Sequence, residues 1–315
     1  VTSLFDGFGD ASVASVKRLE PSPLVAVILY DLIPFVYQDD YLQNQRYKRF
    51  YLHKLEQLKK ADLLLSISEY SKKEAVELLA YPADQVAIVP CAVDDCFQPQ
   101  NLTAQQHSQL LYRYGITRKM VMCAPGGFDS RKNLLRLMQA FALLPSAIRS
   151  QHQLVIASRL SRVATDDSRQ QLHRWRKEAG LAQDELVLTD YLPQNDLVAL
   201  YACSQLFVCP SLHEGFGLPP LEAMACGTAA IGSGVSSIPE VVAFDRALFD
   251  PYSAPDMSQK MADALSDTAF LKQLQAHALT QAASFSWHSS AQKALIALEQ
   301  LVASQTSRVQ TIQNL

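Results

Sequence analysis

Short apolar segments typical of buried strands alternate with amphipathic helical segments along almost the whole chain. This alternation limits the fold most, because strands separated by helices favour parallel pairing, with the helices packed on the faces of the sheet. Each apolar segment is short and ends near a polar residue, a proline or a glycine. The sequence therefore predicts an α/β fold made of doubly wound parallel sheets.

The predicted strands fall into two blocks separated by residues 98–118, which are polar and show no strong periodicity. The first block contains strands at Leu24–Leu29, Leu63–Ile67 and Val86–Val89. The second contains strands at Met120–Cys123, Gln153–Ile156, Leu186–Leu188, Leu206–Val208, Ala229–Ile231 and Ala247–Phe249. The second block has enough strands for a complete doubly wound domain, whereas the first has about half of them.

These blocks predict two domains and a closing helix. We expect a Rossmann-like N-terminal domain over residues 1–110, a second Rossmann-like domain over 111–285, and a C-terminal helix over 286–315 that returns toward the first domain. The first block is short of strands, and the chain begins at Val1 rather than at Met. We therefore expect the N-terminal domain to be incomplete and the chain to be part of a longer protein.

Composition argues against several classes of protein. The net charge of -3 gives no reason to expect nucleic acid as a partner, and no apolar run is long enough to span a membrane. The six cysteines form no Cys-x-x-Cys pair and several lie in strand-like runs, so we expect free thiols, a reducing compartment and no structural zinc. No Gly-x-Gly-x-x-Gly follows a predicted strand, which excludes a nicotinamide-dependent oxidoreductase. Nothing positive supports a sugar-nucleotide epimerase.

The segment after the strand at Leu206–Val208 reads CPSLHEGFGLPPLEAMACG. In a parallel sheet, such a loop lies at the edge where ligands bind. Two glycines let its backbone approach a ligand closely, and two prolines suit the first turn of a helix whose free N–H groups attract an anion. Glu214 and Glu222 would flank this phosphate-sized space. One could bind a sugar and the other the paired hydroxyls of a ribose.

A second loop, GGFDSRKN, follows the strand at Met120–Cys123. It begins with Gly126 and Gly127 and brings Lys132 to the start of the next helix. Lys132 is either an ordinary solvated residue at a helix start or a contact for phosphate. Its position after a Gly-Gly loop at a strand end favours the phosphate contact.

These loops resemble the signature of the retaining glycosyltransferases of family 4, which have the two-domain GT-B fold. The motif that carries the resemblance is E-x7-E in the form EGFGLPPLEAMACG, preceded by GGFDSRKNLLRLMQAF. The similarity continues through SSIPEV, VPCAVDDCFQP, Asp250-Pro251 and the segment at Trp287, so it covers nearly the whole chain. The VTSLFDGFGD and YDLIP segments are most similar to bacterial polysaccharide and O-antigen mannosyltransferases. The resemblance implies two Rossmann-like domains facing a cleft.

The resemblance also implies roles for individual residues. Glu222 would bind the donor ribose, Glu214 would bind the donor sugar near the reacting carbon, and Lys132 would neutralise the departing diphosphate. Asp31, after Tyr30 in the YDLIP segment, would position the sugar. Attack would occur on the front face, with the leaving phosphate accepting the proton, so neither a flanking carboxylate pair nor a metal or other cofactor is expected. The remaining donor-binding residues would be Gly126, Gly127, Arg131, Leu192, Gly215, Phe216, Gly217 and Leu218.

The chain departs from the family pattern in three places. Gly127 stands where many members have an arginine, and whether Arg131 compensates is not decided by the sequence. Cys91-Ala92 replaces an Asn-Gly pair near the hinge. Tyr30 replaces a histidine, and a tyrosine cannot act as that histidine does near neutral pH. The donor side therefore keeps more of the pattern than the acceptor side.

Three groups of polar residues have alternative interpretations. The basic residues from Arg46 to Lys60 form either the wet face of an amphipathic helix or a contact with an anionic membrane surface or a lipid-diphosphate acceptor, and we favour the wet face. His213 either contacts phosphate or packs in the interior. No acidic pair has a full ligand set at a strand end, so we expect no metal site; these pairs are Asp39-Asp40, Asp94-Asp95 and Asp166-Asp167.

The sequence thus predicts a glycosyltransferase that moves a sugar, with mannose from GDP-mannose favoured, onto a polysaccharide or lipid-linked glycan with retention of configuration. Its partners would be the nucleotide-diphosphate sugar and the glycan acceptor. We expect it in the cytoplasm, with a peripheral contact at the inner face of the membrane as an option. The alternative is a non-catalytic nucleotide-sugar-binding subunit that regulates or scaffolds a partner transferase.

Overall fold

The computed structural model describes residues 1–9, 14–17, 22–157, 166–189 and 192–313, without the side chains of 166–168 and 305–313. The chain divides into two compact units. The first unit combines Val1–Ala92 with Phe285–Leu315, and the second unit is Val93–Ser284. Each unit contains a parallel sheet with helices packed on it, which confirms the predicted α/β architecture.

Strands and helices alternate along the described residues, and every predicted strand occurs with its ends shifted by at most two residues. The strands are β1 Ala26–Leu29, β2 Leu63–Ser66, β3 Val86–Ile88, β4 Lys119–Cys123, β5 His152–Ala157, β6 Leu186–Thr189, β7 Leu206–Cys209, β8 Ala230–Ser233 and β9 Leu248–Phe249. The α-helices are α1 Ile33–Val36, α2 Gln38–Tyr41, α3 Gln45–Leu58, α4 Glu69–Leu79, α5 Ala104–Arg113, α6 Leu134–Ala142, α7 Ser146–Arg149, α8 Asp166–Glu178, α9 Gln194–Cys203, α10 Leu218–Ala225, α11 Ile238–Val242, α12 Ala254–Ser266, α13 Thr268–Ala283 and α14 Trp287–Gln313.

The first unit is built on a three-stranded sheet in the order β1-β2-β3. Alternate residues of β2 lie in different cores, because successive side chains point to opposite faces of a sheet. Leu64 packs in the core that contains Tyr51 and Leu55 of α3. Leu63 and Leu65 pack with Ala297 of α14. The short sheet is therefore covered on both faces.

The basic helix α3 corrects the expectation of a purely wet basic face. Its Tyr51 is buried, as the pattern predicts, but Lys54 is also buried, at 5% exposure. The Lys54 Nζ donates to the carbonyl oxygen of Ala14 at 2.5 Å and lies 5.2 Å from the centre of the Phe50 ring. The wet-face interpretation is thus wrong for Lys54, whose long side chain reaches across the helix to a backbone acceptor.

The second unit is built on a six-stranded parallel sheet in the order β6-β5-β4-β7-β8-β9. Numbered within the unit, this is the order 3-2-1-4-5-6 of a Rossmann fold. β5 is buried at every residue, as expected for a central parallel strand covered on both faces. The direction of strand addition reverses between β4 and β7. A crevice for ligands is therefore expected where the carboxyl ends of these two strands separate.

The polar segment 98–118, which separates the two blocks and shows no strong periodicity, contains helix α5. The Thr103 Oγ1 accepts a hydrogen bond from the Gln106 backbone N–H at 3.2 Å, and the Gln106 side chain accepts one from the Thr103 N–H at 2.9 Å. This reciprocal capping box starts the helix. The apolar periodicity is weak because only Leu110 of this helix is buried. The Thr-x-x-Gln spacing was the sequence signal for the helix.

Gly232 in β8 allows α11 to pack directly on the strand. A Cβ atom at Gly232 would lie 2.6 Å from Ile238 Cγ2 and 3.2 Å from Val242 Cγ2. Both distances are too short for a normal contact, so any larger residue would displace α11. The same contact fixes the loop of residues 234–237, which connects β8 to α11 and supports the site described below.

We predict that Gly232→Ala lowers the free energy of unfolding by about 1–3 kcal/mol, because the added methyl group overpacks this contact. Urea denaturation measures the change. Gly9→Ala is the control, since a Cβ atom at Gly9 would meet nothing within 4 Å. A Gly232→Ala protein as stable as the wild type would show that α11 does not pack on β8 as described.

Candidate functional site

Two loops of the second unit meet at the carboxyl ends of β4 and β7, where the sheet order reverses. The first loop comprises residues 124–133 and the second comprises residues 210–217. The Leu212 N–H donates to the Arg131 carbonyl oxygen at 2.7 Å, and the Asn133 side-chain amide donates to the Pro210 carbonyl oxygen at 3.0 Å. These bonds hold together two segments that lie about 80 residues apart in the sequence.

Asn133 fixes the direction in which the preceding residue points. Its φ of 57° is left-handed, a conformation that asparagine tolerates better than most residues. Besides Pro210, its amide donates to the Pro251 carbonyl oxygen at 2.8 Å, and its side-chain oxygen accepts from Arg136 at 2.9 Å. Asn133 is the residue at which the short 3-10 turn that carries Lys132 ends and α6 begins, and its buried side chain ties this boundary to Pro210 and Pro251.

Glu214 shares its carboxylate between two cations. The Lys132 Nζ lies 2.6 Å from Glu214 Oε1, and Arg131 Nη1 lies 2.9 Å from Glu214 Oε2. Arg131 also donates to the His213 carbonyl oxygen at 2.8 Å. The side chains of Lys132, Arg131 and Glu214 are only 8%, 13% and 13% exposed. Such buried charges persist because each is paired with an opposite charge at hydrogen-bonding distance.

The ion pairs determine the charge state of Glu214. Burial alone would raise its pKa, but the charges of Lys132 and Arg131 outweigh burial and hold the pKa of Glu214 below the ordinary value of 4.5. Glu214 is therefore a carboxylate at neutral pH. Arg131 Nη2 also lies 3.7 Å from Asp129 Oδ2, at the more exposed side of the cluster, so two cationic side chains face two carboxylates. An anionic ligand that replaced either carboxylate would meet both cations.

The loop after β8 supports the backbone around Glu214. The Glu214 N–H donates to Ser236 Oγ at 3.1 Å. Ser237 Oγ lies 2.8 Å from the Glu214 carbonyl oxygen and 2.7 Å from that of Phe216, and its hydroxyl can donate to either. Phe216 is buried, at 4% exposure, so the chain on both sides of Gly215 is anchored. Glu214 is thus held from its backbone as well as from its carboxylate.

Helix α10 begins where this loop ends. Gly217 is its N-cap and has a φ of 112°, a conformation in which residues with a Cβ atom are strained. The next residue, Leu218, is 39% exposed, so the first turn of the helix faces solvent. Pro219 and Pro220 occupy that turn without losing a helical hydrogen bond. Pro219 of this turn lines the cavity described next, so α10 begins beside that cavity.

A cavity of about 440 Å³ lies in the second unit beside α10. Three of the sequence-predicted donor residues line it, namely Gly126, Leu192 and Glu222. Its other lining side chains include Phe97 and Tyr201, and the Tyr201 hydroxyl donates to Glu222 Oε2 at 2.9 Å. The volume and the mixture of apolar walls with a few polar groups are typical of small-molecule sites.

The structure thus gathers the predicted residues of the second unit into two sets. Gly126, Leu192 and Glu222 line the cavity, and Arg131, Lys132 and Glu214 form the ion cluster. Gly215–Leu218 run from the cluster to α10. Gly127 lies in the loop of residues 124–133. A Cβ atom at this position would be 3.5 Å from the Asp129 carboxylate.

Asp31 belongs to the first unit, where it follows β1. Its carboxylate accepts a hydrogen bond from the Ile33 N–H at 3.0 Å, which caps the turn into α1. The neighbouring Tyr30 is 49% exposed. Asp31 therefore lies at the carboxyl edge of the first sheet, the edge at which ligands bind in parallel sheets.

Sequence reasoning gave no role to three residues that support the site: Asn133, Tyr201 and Ser237. Asn133 directly follows Lys132, and Ser237 lies in the SSIPEV motif, so both stood within segments of recognised similarity. Tyr201 carried no such signal, because a tyrosine in a helix is usually a core residue. Only the pairing of α9 with α10 shows its hydroxyl meeting Glu222.

Four other features considered in the sequence are the state of the cysteines, the surroundings of His213, a metal site and a membrane span. All six cysteines are free, as predicted. His213 is buried at 3% exposure. In the described part of the chain, no three His, Cys, Asp or Glu side chains group as metal ligands, and the Asp166 and Asp167 side chains lie outside it. No helix of that part is long and apolar enough to cross a membrane.

Residues 114–282, which contain both loops and the cavity-lining glutamate, match the family of glycosyl transferases group 1. The chain belongs to this family. The matched region holds the Rossmann-type sheet and the ion cluster, so the family resemblance seen in the sequence and the geometry of the site concern the same residues. This match confirms the predicted relationship to the group 1 glycosyltransferases.

Among curated relatives, this chain is 33% identical over 327 residues to the serotype-specific mannosyltransferase WbdA of Escherichia coli. The alignment covers 100% of this chain and 40% of WbdA. The chain is 34% identical over 242 residues to O-antigen chain mannosyltransferase B of Escherichia coli, covering 77% of this chain and 61% of that one. The chain thus spans about two fifths of the length of WbdA.

Solved structures share the fold. Sucrose-phosphate synthase from Thermosynechococcus elongatus superposes with a TM-score of 0.71 at 23% identity, covering 90% of this chain and 69% of that chain. HepE from Anabaena, in complex with UDP and glucose, superposes with a TM-score of 0.70 at 18% identity, covering 87% of this chain and 71% of that chain. Because both identities are below 25%, the superpositions show only the fold of this chain, which is of the GT-B type.

We predict that Lys132→Met lowers the free energy of unfolding by about 3 kcal/mol at neutral pH, because Glu214 loses one of its two buried partners. The wild-type pKa of Glu214 is lowered on folding, so the stabilisation is present above pH 4.5 and is lost as the pH falls through the lower folded-state pKa. Urea denaturation at a series of pH values measures the difference between variant and wild type, which should shrink in acid.

The control is Lys119→Met at an exposed position of β4, which should change stability little at any pH. An effect of Lys132→Met that stayed constant from neutral to acidic pH would contradict the ion pair as the source of the stabilisation.

Proposed function

We propose that this chain is the nucleotide-sugar-binding part of a retaining glycosyltransferase that moves mannose from GDP-mannose onto a polysaccharide or lipid-linked glycan. One observation carries the proposal. At the point where the second sheet reverses, the paired cations Arg131 and Lys132 lie with Glu214 on the loops next to a cavity lined by Glu222. The names of the two Escherichia coli relatives, both mannosyltransferases, support mannose as the sugar.

The proposed donor places its nucleoside in the cavity of about 440 Å³ and its ribose hydroxyls on Glu222. Its diphosphate then lies toward Lys132 and Arg131 and the backbone N–H groups at Gly217 and Leu218. Arg131 takes the place of the arginine that many family members have at the position of Gly127. Its guanidinium already reaches the Glu214 carboxylate, which supports this substitution.

Glu214 and the diphosphate would compete for the same cations. Without donor, the Glu214 carboxylate bridges Lys132 and Arg131. A diphosphate carries more negative charge and more acceptor oxygens than one carboxylate, so it would replace Glu214 on Lys132. The released carboxylate would then be available for the hydroxyls of the donor sugar near its reacting carbon. Donor binding would thereby assemble the catalytic arrangement.

In the proposed reaction, the bond between the sugar anomeric carbon and the diphosphate oxygen breaks, and a bond to the acceptor oxygen forms on the same face. The acceptor proton passes to the leaving phosphate oxygen, so the products are GDP and the extended glycan. Lys132 and Arg131 stabilise the charge that develops on the diphosphate, a task worth several kcal/mol in a site of low dielectric. Because two cationic side chains do this, the proposal includes no metal ion or other cofactor.

The acceptor side of the proposal rests on the first unit. Asp31, beside the exposed Tyr30 at the carboxyl edge of the first sheet, would position the sugar at the reacting centre. The free cysteines support a reducing, cytoplasmic setting. Arg46 and Arg49 are exposed on α3 and would face an anionic membrane surface if the acceptor is held at the inner face of the membrane.

We predict that a full-length protein containing this chain releases GDP from GDP-mannose in the presence of its glycan acceptor, and that chelators leave the rate unchanged. Lys132→Met should lower kcat by about a hundredfold or more, because it removes charge stabilisation of the leaving group. Coupled GDP release measures the rate, and NMR of the product gives its anomeric configuration. Binding of GDP-mannose without any turnover would instead support a non-catalytic binding subunit.

We also predict opposite effects of two substitutions on GDP binding. Glu214→Gln should tighten binding severalfold, because the competing carboxylate charge is gone, whereas Lys132→Met should weaken it by about tenfold or more. Calorimetric titration measures both, and Lys119→Met serves again as the control. Weaker GDP binding by Glu214→Gln would contradict competition between this carboxylate and the diphosphate.

A further inference from the structure

Tyr201 of α9 connects the interior of the second unit to the nucleotide cavity. Its side chain is almost completely buried, at 1% exposure, and it contributes to the wall of the cavity. Its hydroxyl donates a hydrogen bond to Glu222 Oε2 at 2.9 Å. A hydrogen bond to a charged acceptor in a buried place is among the stronger side-chain interactions. Tyr201 thus holds one oxygen of the carboxylate that the sequence assigns to the donor ribose.

The ring of Tyr201 is itself held from several sides. Its centre lies 5.7 Å from that of Phe207 in β7, in an edge-on arrangement, and 6.1 Å from that of Phe97. The backbone at Tyr201 is held as well, since the Thr228 Oγ1 donates to the Tyr201 carbonyl oxygen at 2.5 Å. Aromatic pairs at these separations stabilise a defined ring orientation. The packing of the ring therefore directs the Tyr201 hydroxyl at the Glu222 carboxylate.

The hydroxyl also remains a donor at any physiological pH. Burial first, and the neighbouring Glu222 charge second, raise the pKa of Tyr201 well above its ordinary value. A protonated phenol beside a carboxylate can only donate, so the polarity of the bond does not change with pH.

We propose that Tyr201 is a positioning residue that aims the Glu222 carboxylate at the ribose hydroxyls of the donor nucleotide. The inference rests on the proposed function, since it takes the ribose as the partner of Glu222. A carboxylate can accept from both hydroxyls of a ribose only when its plane faces them. Tyr201 fixes that plane through Oε2. Without it, the carboxylate could rotate about its last side-chain bond, and part of the binding energy would be lost to ordering it again.

The test is a calorimetric double-mutant cycle on Tyr201→Phe and Glu222→Ala. The ligand is whichever of GDP, UDP and ADP the wild-type chain binds most tightly. Tyr201→Phe keeps the ring and removes only the hydroxyl, and we expect it to weaken binding by about tenfold. In the Glu222→Ala background, the same change should alter the dissociation constant by less than about twofold, because the group that Tyr201 orients is gone.

Tyr114→Phe is the matched control. The Tyr114 hydroxyl donates to an Asp196 carboxylate oxygen at 2.5 Å, a bond of the same type in the same unit, but Tyr114 does not belong to the lining of the cavity. Its loss should leave the dissociation constant unchanged. A purely structural effect of losing a tyrosine–carboxylate bond would weaken binding in both Tyr→Phe variants.

The outcomes separate this inference from the proposed function. If Tyr201→Phe binds as tightly as the wild type while Glu222→Ala binds weakly, the donor site stands and the role of Tyr201 is refuted. A tenfold loss in both backgrounds would also refute it, since Tyr201 would then act independently of Glu222. Failure of the wild-type chain to bind any of the three nucleotides would overturn the proposed function, and this inference with it.

Discussion

The carboxylate of Glu214 is shared between Lys132 and Arg131, and this buried charge cluster is the interaction on which the site depends. Each charge is costly to bury alone, so each of the three side chains is stabilised in its place by the others. The cluster holds two cationic side chains on the loops at the carboxyl ends of β4 and β7 before any ligand arrives. Pre-organised positive charge of this kind is what the departure of a diphosphate requires.

The fold supplies the cluster with support from three directions. The reversal of the sheet order places the ends of β4 and β7 side by side, and Asn133 ties the two loops together. Ser237, carried by the loop that Gly232 allows to pack closely, holds the backbone of Glu214. The rigid sheet therefore positions the loops, and the loops position the charges. This division is the usual one in doubly wound folds.

The alternation of apolar and amphipathic segments predicts every strand of the described chain, because a buried parallel strand is apolar over most of its length. The E-x7-E and GGFDSRKN segments likewise identify the loops at the crevice. The sequence could not show that Glu214 pairs with Lys132, which lies 82 residues away, since that contact depends on the order of strands in the sheet. The contacts of Lys54 and Tyr201 escaped prediction for another reason, because a lysine in a basic helix suggests a solvated residue and a tyrosine in a helix suggests a core residue. Helix α5 escaped because polar residues cover most of its surface, although its capping box is a local signal.

The most direct test of this account is a crystal structure of the chain with GDP bound. We expect the diphosphate to lie within hydrogen-bonding distance of the Lys132 ammonium and the Arg131 guanidinium, the ribose to contact Glu222, and the Glu214 carboxylate to have left Lys132. GDP bound elsewhere, or bound in the crevice with the Glu214–Lys132 pair intact at its present 2.6 Å, would contradict the proposed exchange of carboxylate for diphosphate.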